Sequence, residues 1–423
     1  MKESFLLSFR AFLRGHVLTL LLAAVALVHG LFPALVRGDG TEAGWREMFL
    51  RAVPGFVVAV TLVAVLAMAC GIFARERENH RLALAVVRPA SAMSVAIGRW
   101  LAILVVAALA LTFNSALVFA RFHHAPDCRH HLAPVLPPPL VVAQKMMDEY
   151  LKDPSTPEEV RKAPRSAVLS LLANKESDRY DVIPAGGRFE WPFVGAGGER
   201  AFGVSAALSN VIVRVCFASA NSLRMTTRGT FSVGALSAAV SNDTQSVVEI
   251  PLMGVTDSLA ATNLVFANAG TFPVMLRARR DIELLLPGDT FAANLVRATV
   301  QSFATLALLA AFCMFLSASL SRPVAIFTAL VLVLVAIMAP NAVEQFPDEL
   351  GISLADRIGL GLSRGVSMLT AAFAAPSPVG DVATGRCIEW SALARTALED
   401  ILVWPTVFLA LSAYVVRRRP IRL

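Results

Sequence analysis

Long apolar stretches, separated by polar and charged segments, dominate the pattern of this chain. A helix that crosses a bilayer needs about 20 mainly apolar residues. Six stretches meet that length, and they are roughly Val17–Val36, Val53–Ala74, Ile97–Ala120, Phe291–Ser317, Val324–Pro340 and Leu398–Val416. No Asp, Glu or Lys lies deep inside any of them, and Glu399 and Asp400 fall at the outer rim of the last. The pattern predicts a mainly α, polytopic membrane protein with six transmembrane helices.

The first stretch follows basic residues, as the apolar core of a secretory signal does. Its apolar run is longer than such a core, and no small-x-small cleavage pattern follows it. We therefore expect Val17–Val36 to be a retained span.

Basic residues between the stretches predict the orientation, because Arg and Lys accumulate on the cytoplasmic side of a membrane. With an even number of spans, both termini share one face with the loops that follow spans two and four. The basic residues on that face are Lys2, Arg10, Arg14, Arg75, Arg77, Arg81, Arg88, Arg99, Arg322, Arg417, Arg418, Arg419 and Arg422. Both termini are therefore expected in the cytoplasm.

A long segment between the third and fourth stretches falls on the opposite, extracytoplasmic side. Its first part, 138–178, is predicted to be helical, with an amphipathic helix at Leu140–Leu151 and a capping box at Thr156–Glu159. From Tyr180 to Leu286 the apolar period changes to two, which is typical of short strands in a β-sandwich. We expect Trp191, Val213, Val215 and Phe266 in its core.

These patterns divide the chain into three regions. Residues 1–120 and 291–423 form the two parts of a membrane domain, and 121–290 forms an inserted periplasmic α/β domain. Within the membrane domain, 75–94 is expected on the cytoplasmic side. Residues 341–397 are a second outside segment, with helical patterning around Leu354–Phe373.

Composition agrees with a membrane protein. The hydrophobic fraction is 56% and the charged fraction 16%, against about 25% charged in average soluble domains. A soluble enzyme is therefore excluded as the leading class. The net charge of +7 is explained by topology, and no basic stripe interleaved with aromatic residues remains to bind nucleic acid.

Motifs for chemistry are scarce. A phosphate-binding loop ends in Gly-Lys-Ser/Thr, and none of the lysines, at positions 2, 145, 152, 162 and 175, follows a glycine. Ion-driven transport normally uses an ionisable residue in the membrane. His29 and Asn114 are the nearest candidates, and helix packing explains both more simply. We predict no catalytic residue and no cofactor.

The segment between the second and third stretches has a distinctive order of residues. It reads Arg-Glu-Arg-Glu-Asn-His-Arg from Arg75, continues through Leu82 and Leu84 to Arg88-Pro89, and reaches Gly98-Arg99-Trp100. We interpret it as a charged turn, then a short amphipathic helix that ends at Pro89, then a new helix after Ala90. On physical grounds it is either an ordinary basic loop or a stub suited to contact a partner.

This segment resembles the coupling region of type-2 ATP-binding-cassette (ABC) permeases. Its matching positions are Glu76, Arg77, Leu82, Leu84, Arg88, Pro89, Gly98 and Arg99. The C-terminus is similar too, since a last span closes with Tyr414 and Arg417–Arg419. The large outside domain departs from the pattern, because many members have only a short loop between spans three and four.

The resemblance implies a permease subunit that pairs with a second permease subunit and is driven by a separate ATPase subunit. The ATPase-coupling residues would then be Glu76, Arg77, Glu78, Leu82, Leu84, Arg88 and Pro89. Substrate and direction do not follow from it.

One cluster contains metal-ligand residue types: His123, His124, Cys128, His130 and His131. Its spacing matches no known finger, and a solvated loop is the favoured interpretation over a Zn or Cu site. Cys128, Cys216 and Cys387 face an oxidising compartment, so one disulfide and one free thiol are expected, with the pairing left open. Cys70 and Cys313 are expected to be packing residues.

Two other functions remain as alternatives to the permease. One is a membrane-anchored sensor or assembly factor whose β-domain binds a partner without transport. The other is an ion-coupled carrier, against which the lack of intramembrane acids argues.

Overall fold

A computed structural model describes residues 1–36, 42–78, 91–152, 165–193, 211–218, 225–234, 236–244, 246–252, 263–343 and 378–418. The chain divides into two compact units. One, the membrane unit, contains the described residues of Met1–Cys128 and Asp289–Val343 together with 378–418. The other, the strand-rich unit, contains those of Arg129–Gly288.

Long helices build the membrane unit. They are α1 (Lys2–Arg14), α2 (Val17–Leu35), α3 (Glu42–Glu78), α4 (Ala92–Phe122), α7 (Phe291–Ser319), α8 (Arg322–Val343), the short α9 (Pro378–Ala383) and α10 (Trp390–Arg418). Five of them, namely α2, α3, α4, α7 and α10, are long and apolar enough to cross a membrane. The chain is therefore a membrane protein. At the sixth predicted span, α8 has a shorter apolar part, Arg322–Val335.

Helix α1 was missed by the span-based prediction. It is amphipathic, with Phe9 and Phe12 packed against the core of the membrane unit and Leu7 exposed. It lies close against α4, because a Cβ atom at Gly98 would come within 2.6 Å of the Met1 carbonyl oxygen. Glycine at this position is what permits the approach.

Small side chains fill the contacts between the membrane helices. Ala69 of α3, Ala107 of α4 and Ala310 of α7 are fully buried. Large apolar side chains such as Leu20 and Phe327 are exposed instead. Small residues at contact positions let helix backbones approach closely, which is typical of helix association in bilayers.

Ten antiparallel strands and two helices, α5 (Pro139–Lys152) and α6 (Arg165–Ser177), build the described part of the strand-rich unit. The strands are β1 (Arg129–Leu132), β2 (Asp181–Ile183), β3 (Arg188–Pro192), β4 (Ile212–Cys216), β5 (Thr226–Val233), β6 (Leu236–Asp243), β7 (Val247–Pro251), β8 (Asn263–Asn268), β9 (Val274–Leu276) and β10 (Ile282–Pro287). They form two four-stranded sheets, ordered β1-β10-β4-β7 and β3-β8-β5-β6, and the pair β2-β9.

One hydrophobic core joins residues from all three sheets. The four predicted core residues, Trp191, Val213, Val215 and Phe266, are at most 1% exposed, which confirms them. Gly229 of β5 makes room for the Phe266 ring, since a Cβ atom there would lie 2.5 Å from it. On β7, Ile250 is buried in this core, whereas Val247 is 67% exposed.

Ion pairs cover the other face of the first sheet. Arg214 Nη2 lies 2.7 Å from Glu249 Oε1, and Arg129 Nη1 lies 3.2 Å from Glu249 Oε2. His131 Nδ1 lies 2.9 Å from Glu283 Oε2. The two-residue period is visible on both strands: on β4, Arg214 follows the buried Val213, and on β10, Glu283 precedes the buried Leu284.

The predicted helix at Leu140–Leu151 is confirmed by α5, whose Ala143 and Met147 pack on Leu169 and Leu172 of α6. Two other predictions, the capping box at Thr156–Glu159 and the helical pattern at Leu354–Phe373, lie outside the described residues.

Candidate functional site

The predicted coupling residues begin at the last turn of α3. Glu76, Arg77 and Glu78 belong to this helix, whereas Leu82, Leu84, Arg88 and Pro89 lie outside the described residues. The expected charged turn at Arg75 was wrong, because the helix continues through it. Glu and Arg are good helix formers, and no Gly or Pro interrupts 75–78.

Ser91 caps α4 by accepting a hydrogen bond from the Ser94 backbone N–H at 3.2 Å. This agrees with the predicted restart after Ala90. We call the side of the membrane unit where α3 ends and α4 begins the Ser91 end. Both sides of the 79–90 connection are therefore helical, and they belong to neighbouring helices.

Buried polar contacts join the helices at the Ser91 end. Ser317 Oγ accepts hydrogen bonds from the backbone N–H groups of Phe73 and Ala74, each at 3.1 Å, and donates to the Cys70 carbonyl at 2.8 Å. We call this set the Ser317 clamp. It ties α7 to the last apolar turn of α3, directly before the predicted coupling residues.

Arg99 of the resemblance motif is also at this end. It is 7% exposed, and its guanidinium lies 4.9 Å from the centre of the Phe73 ring. The next residue, Trp100, donates from Nε1 to the Ala307 carbonyl at 2.9 Å. These contacts give Arg99 and Trp100 a packing role that their sequence pattern did not reveal.

The opposite side of the unit, the Cys128 end, is fastened by a disulfide. Cys128 and Cys387, which are 259 residues apart, are bonded. Cys216 is the free thiol of the three that were expected to face an oxidising compartment. Burial, helped by the negative charge of Asp281, raises the pKa of the Cys216 thiol, so this thiol is a poor nucleophile at neutral pH.

Next to the disulfide, two side chains of α7 bind the segment that precedes α10. Asn294 donates to the Arg386 carbonyl at 2.7 Å and accepts from the Ile388 N–H at 2.9 Å. Arg297, which is 2% exposed, donates to the Ile388 carbonyl at 2.8 Å and pairs with Asp289. Its guanidinium also lies 4.3 Å from the centre of the Trp390 ring.

The two polar residues considered for ion transport contact each other. His29 Nε2 lies 3.0 Å from Asn114 Oδ1, and both side chains are buried. This contact is the helix-packing role that was favoured for them. Ser115 and Thr299 form a similar link, at 2.6 Å, between α4 and α7.

The members of the histidine-rich cluster have different roles in the structure. Cys128 is in the disulfide, His130 and His131 lie on β1, and His131 contacts Glu283. The expected loop is thus a strand at 129–132. Within the described ranges, no group of three or more His, Cys, Asp or Glu side chains is placed to hold a metal ion.

Comparisons with protein-family models, curated proteins and solved structures found no match.

Buried residues missed by the sequence analysis include Arg297 and Asp400. Asp400, which was expected at the outer rim of the last span, is 3% exposed and lies within the continuous helix α10. Ionisable residues in membrane helices are rare and normally functional, which is a signal that sequence alone could have raised for both. The polar groups described above thus join helices at both ends of the membrane unit, and Asp400 takes part in none of these contacts.

Proposed function

We propose that the chain is the permease subunit of an ABC transporter of the type-2 family. It would pair with a second permease subunit in the bacterial inner membrane and move a substrate of unknown identity, with energy from a separate ATPase subunit. The observation that carries the proposal is the coupling segment. Its resemblance motif begins on a helix that extends past its apolar span and ends on the start of the next one.

The Ser317 clamp supports a mechanical role for this segment. A docking helix can act on the membrane pathway only if it is attached to more than one span. Through Phe73 and Ala74, the residues directly before Arg75 are hydrogen-bonded to α7. Through Arg99 and Trp100, the segment's other flank packs on α3 and α7.

The proposed topology has six spans with the Ser91 end in the cytoplasm. Helix α7 ends near α3 at the Ser91 end, whereas 386–390 binds α7 at the Cys128 end. The chain between these points therefore has to return across the unit, and among the described residues we assign α8 to this return. The disulfide at the Cys128 end fits an oxidising periplasm.

ATP hydrolysis is assigned to the partner chain, because the sequence has no Gly-Lys-Ser/Thr loop. In this proposal the chain supplies positioning and a pathway, with no catalytic residue or cofactor of its own. The inner-membrane localisation is part of the same proposal and is implied by the resemblance to ABC permeases.

The sensor or assembly factor is the second candidate, and the strand-rich unit favours it. That unit has its own hydrophobic core and a charged outer sheet face. Such a domain can bind a partner without any transport. The two functions are distinguished by whether the protein associates with an ATPase subunit.

The test replaces Glu76 and Glu78 together by Lys in the full-length protein. The double substitution replaces the two acidic side chains at the end of α3 by basic ones. A like-charge contact across an interface costs several kcal/mol, where each 1.4 kcal/mol is about tenfold in affinity. The permease is purified from native membranes in mild detergent. We expect the wild-type protein to retain a subunit that carries a phosphate-binding loop and hydrolyses ATP, and the variant to lose it.

A matched control replaces Glu42 and Glu47, at the other end of the same helix, by Lys. Both variants should insert normally and keep the Cys128–Cys387 bond, but only E76K/E78K should lose the ATPase. Equal retention by both variants would refute the coupling role. Wild-type protein that purifies with no ATPase would favour the sensor or assembly factor.

A further inference from the structure

Asp400 is a buried carboxyl group in the last membrane helix. It is 3% exposed and lies in a π-helical turn, Leu398–Val403, within α10. Such turns interrupt α-helices rarely, and they are frequent at functional sites. Neither the coupling segment nor the packing of the two helix ends uses this residue.

The contacts between α10 and α7 on either side of Asp400 show which part of α7 lies opposite it. Near the start of α10, Trp390 lies under Arg297 of α7. Further on, Phe408 contacts Phe312 and Phe315 of α7, with ring centres 5.3 and 6.2 Å apart. Asp400 lies between these contacts, so the part of α7 opposite it is its middle, around Gln301–Leu308, which has no charged residue.

The neighbouring charges are already occupied. Glu399 is half exposed, and its Oε1 lies 2.9 Å from Arg395 Nε. On α7, Arg297 is hydrogen-bonded to Asp289 and to the Ile388 carbonyl, and Cys313 is a buried free thiol. The titratable groups of α10 beyond Asp400, namely Tyr414, Arg417 and Arg418, follow Phe408 and lie further along the helix. In the part of the chain that the structure describes, no side chain forms an ion pair or hydrogen bond with Asp400.

A buried carboxylate without a partner is energetically expensive, so such a group is stable only when it is neutral or has gained a cation. We propose that Asp400 is a proton-binding site of the membrane unit, held against α7 and able to exchange its proton. We choose a proton over a metal ion as the ligand, because among the described residues no group of three or more His, Cys, Asp or Glu side chains is placed to hold a metal. The proposal does not depend on an ATPase partner.

The test uses a hydrophobic carbodiimide, dicyclohexylcarbodiimide, on the full-length protein in lipid vesicles. A protonated carboxyl group transfers its proton to a nitrogen of the reagent, and its oxygen adds to the central carbon. The O-acylisourea formed then rearranges to a stable N-acylurea of the same composition. Leu398 and Leu402, which flank Asp400, are more than half exposed on the helix surface, so the reagent can approach from the lipid.

We expect peptide mass spectrometry to find the adduct on Asp400, and its amount to increase as the pH is lowered from about 9 to about 5, across the range in which carboxyl groups in proteins titrate. The Asp400→Asn variant should lose this adduct. Glu399→Gln is the matched control, since it removes the neighbouring acid and should leave labelling of Asp400 in place. A water-soluble carbodiimide should leave Asp400 unmodified.

Infrared spectroscopy gives a second, independent measurement. At about pH 6, where most exposed carboxyl groups are ionised, the carbonyl stretch of a protonated carboxyl group should be stronger in the wild-type protein than in Asp400→Asn. Absence of both the adduct and this difference in band strength, in a wild-type protein with an intact disulfide, would overturn the proposal. Protection of Asp400 from the reagent by sodium ions at constant pH would also overturn it, in favour of a metal-cation site.

Discussion

The strand-rich unit and the membrane unit place large and small side chains in opposite ways. In the strand-rich unit, aromatic residues are inside, and Phe231 lies 4.6 Å from Phe266 between ring centres. In the membrane unit, Phe327 is 70% exposed, while alanines such as Ala310 are fully buried. Charged residues follow the same inversion, since Arg214 and Glu249 lie on a sheet surface and Arg297 is buried.

This inversion shows that one chain folds in two solvents. Water drives large apolar side chains into a core, whereas a lipid tail is as apolar as a leucine and gives them no reason to be buried. In the membrane unit, therefore, close backbone approach and buried polar contacts hold the helices together. The two units should respond differently to the same kind of substitution.

The largest effect is expected from Phe231→Ala. Phe231 is 0% exposed, and truncating a buried Phe to Ala costs about 3–5 kcal/mol, through lost burial and the cavity left behind. Hydrogen exchange of the full-length protein in lipid nanodiscs should show lost protection in β5 and β8. Phe327→Ala, the control in the membrane unit, should change protection very little. A similar loss in both variants would contradict the comparison.

The next effect concerns the covalent bond of the membrane unit. Cys128→Ser should destabilise the Cys128 end by about 2–4 kcal/mol, the usual contribution of a disulfide. Faster hydrogen exchange at 386–390 and at the start of α7 would show it, and reduction of the wild-type protein should reproduce it. Cys216→Ser removes a thiol that is not bonded and serves as the control. If reduction of the disulfide leaves hydrogen exchange unchanged in these segments, the contacts of Asn294 and Arg297 are sufficient to hold 386–390 against α7.

A smaller effect is expected where helices approach closely. Ala310→Leu adds volume to a filled contact and should cost about 1–3 kcal/mol. Ala410→Leu makes the same change at an exposed position of α10 and should be nearly neutral in lipid. Thermal unfolding of both variants in nanodiscs measures the difference. Equal stability of the two variants would mean that the membrane unit is loosely packed at Ala310.

Features that depend on local pattern were predictable from the sequence. The five apolar helices and the core positions Trp191, Val213, Val215 and Phe266 follow from runs and periods within a few residues. The start of a new helix at Ala92 is a local signal of the same kind, since Pro89 and the cap residue Ser91 directly precede it. Such signals are physical properties of the segment itself, so they survive without knowledge of its neighbours.

Features that depend on distant partners were not predictable. The pairing of Cys128 with Cys387 joins residues 259 positions apart, and the contacts of Arg297 depend on how 386–390 returns to α7. The burial of Asp400 was not predictable either, because hydropathy alone treats an acid near the end of a span as a boundary. Helix α10 begins at Trp390, before this acid. Helix α1 was missed because its length and amphipathic pattern fall below the criterion for a span.

The Ser317 clamp also has a mechanical consequence. One hydroxyl group joins three backbone groups of α3 to α7, so sliding of either helix along the other would break all three bonds at once in a place without water. Helices α3 and α7 should therefore move together as one rigid body. A force applied at Arg75–Glu78 would reach the start of α7, at the far side of the membrane unit, without any change in the shape of either helix.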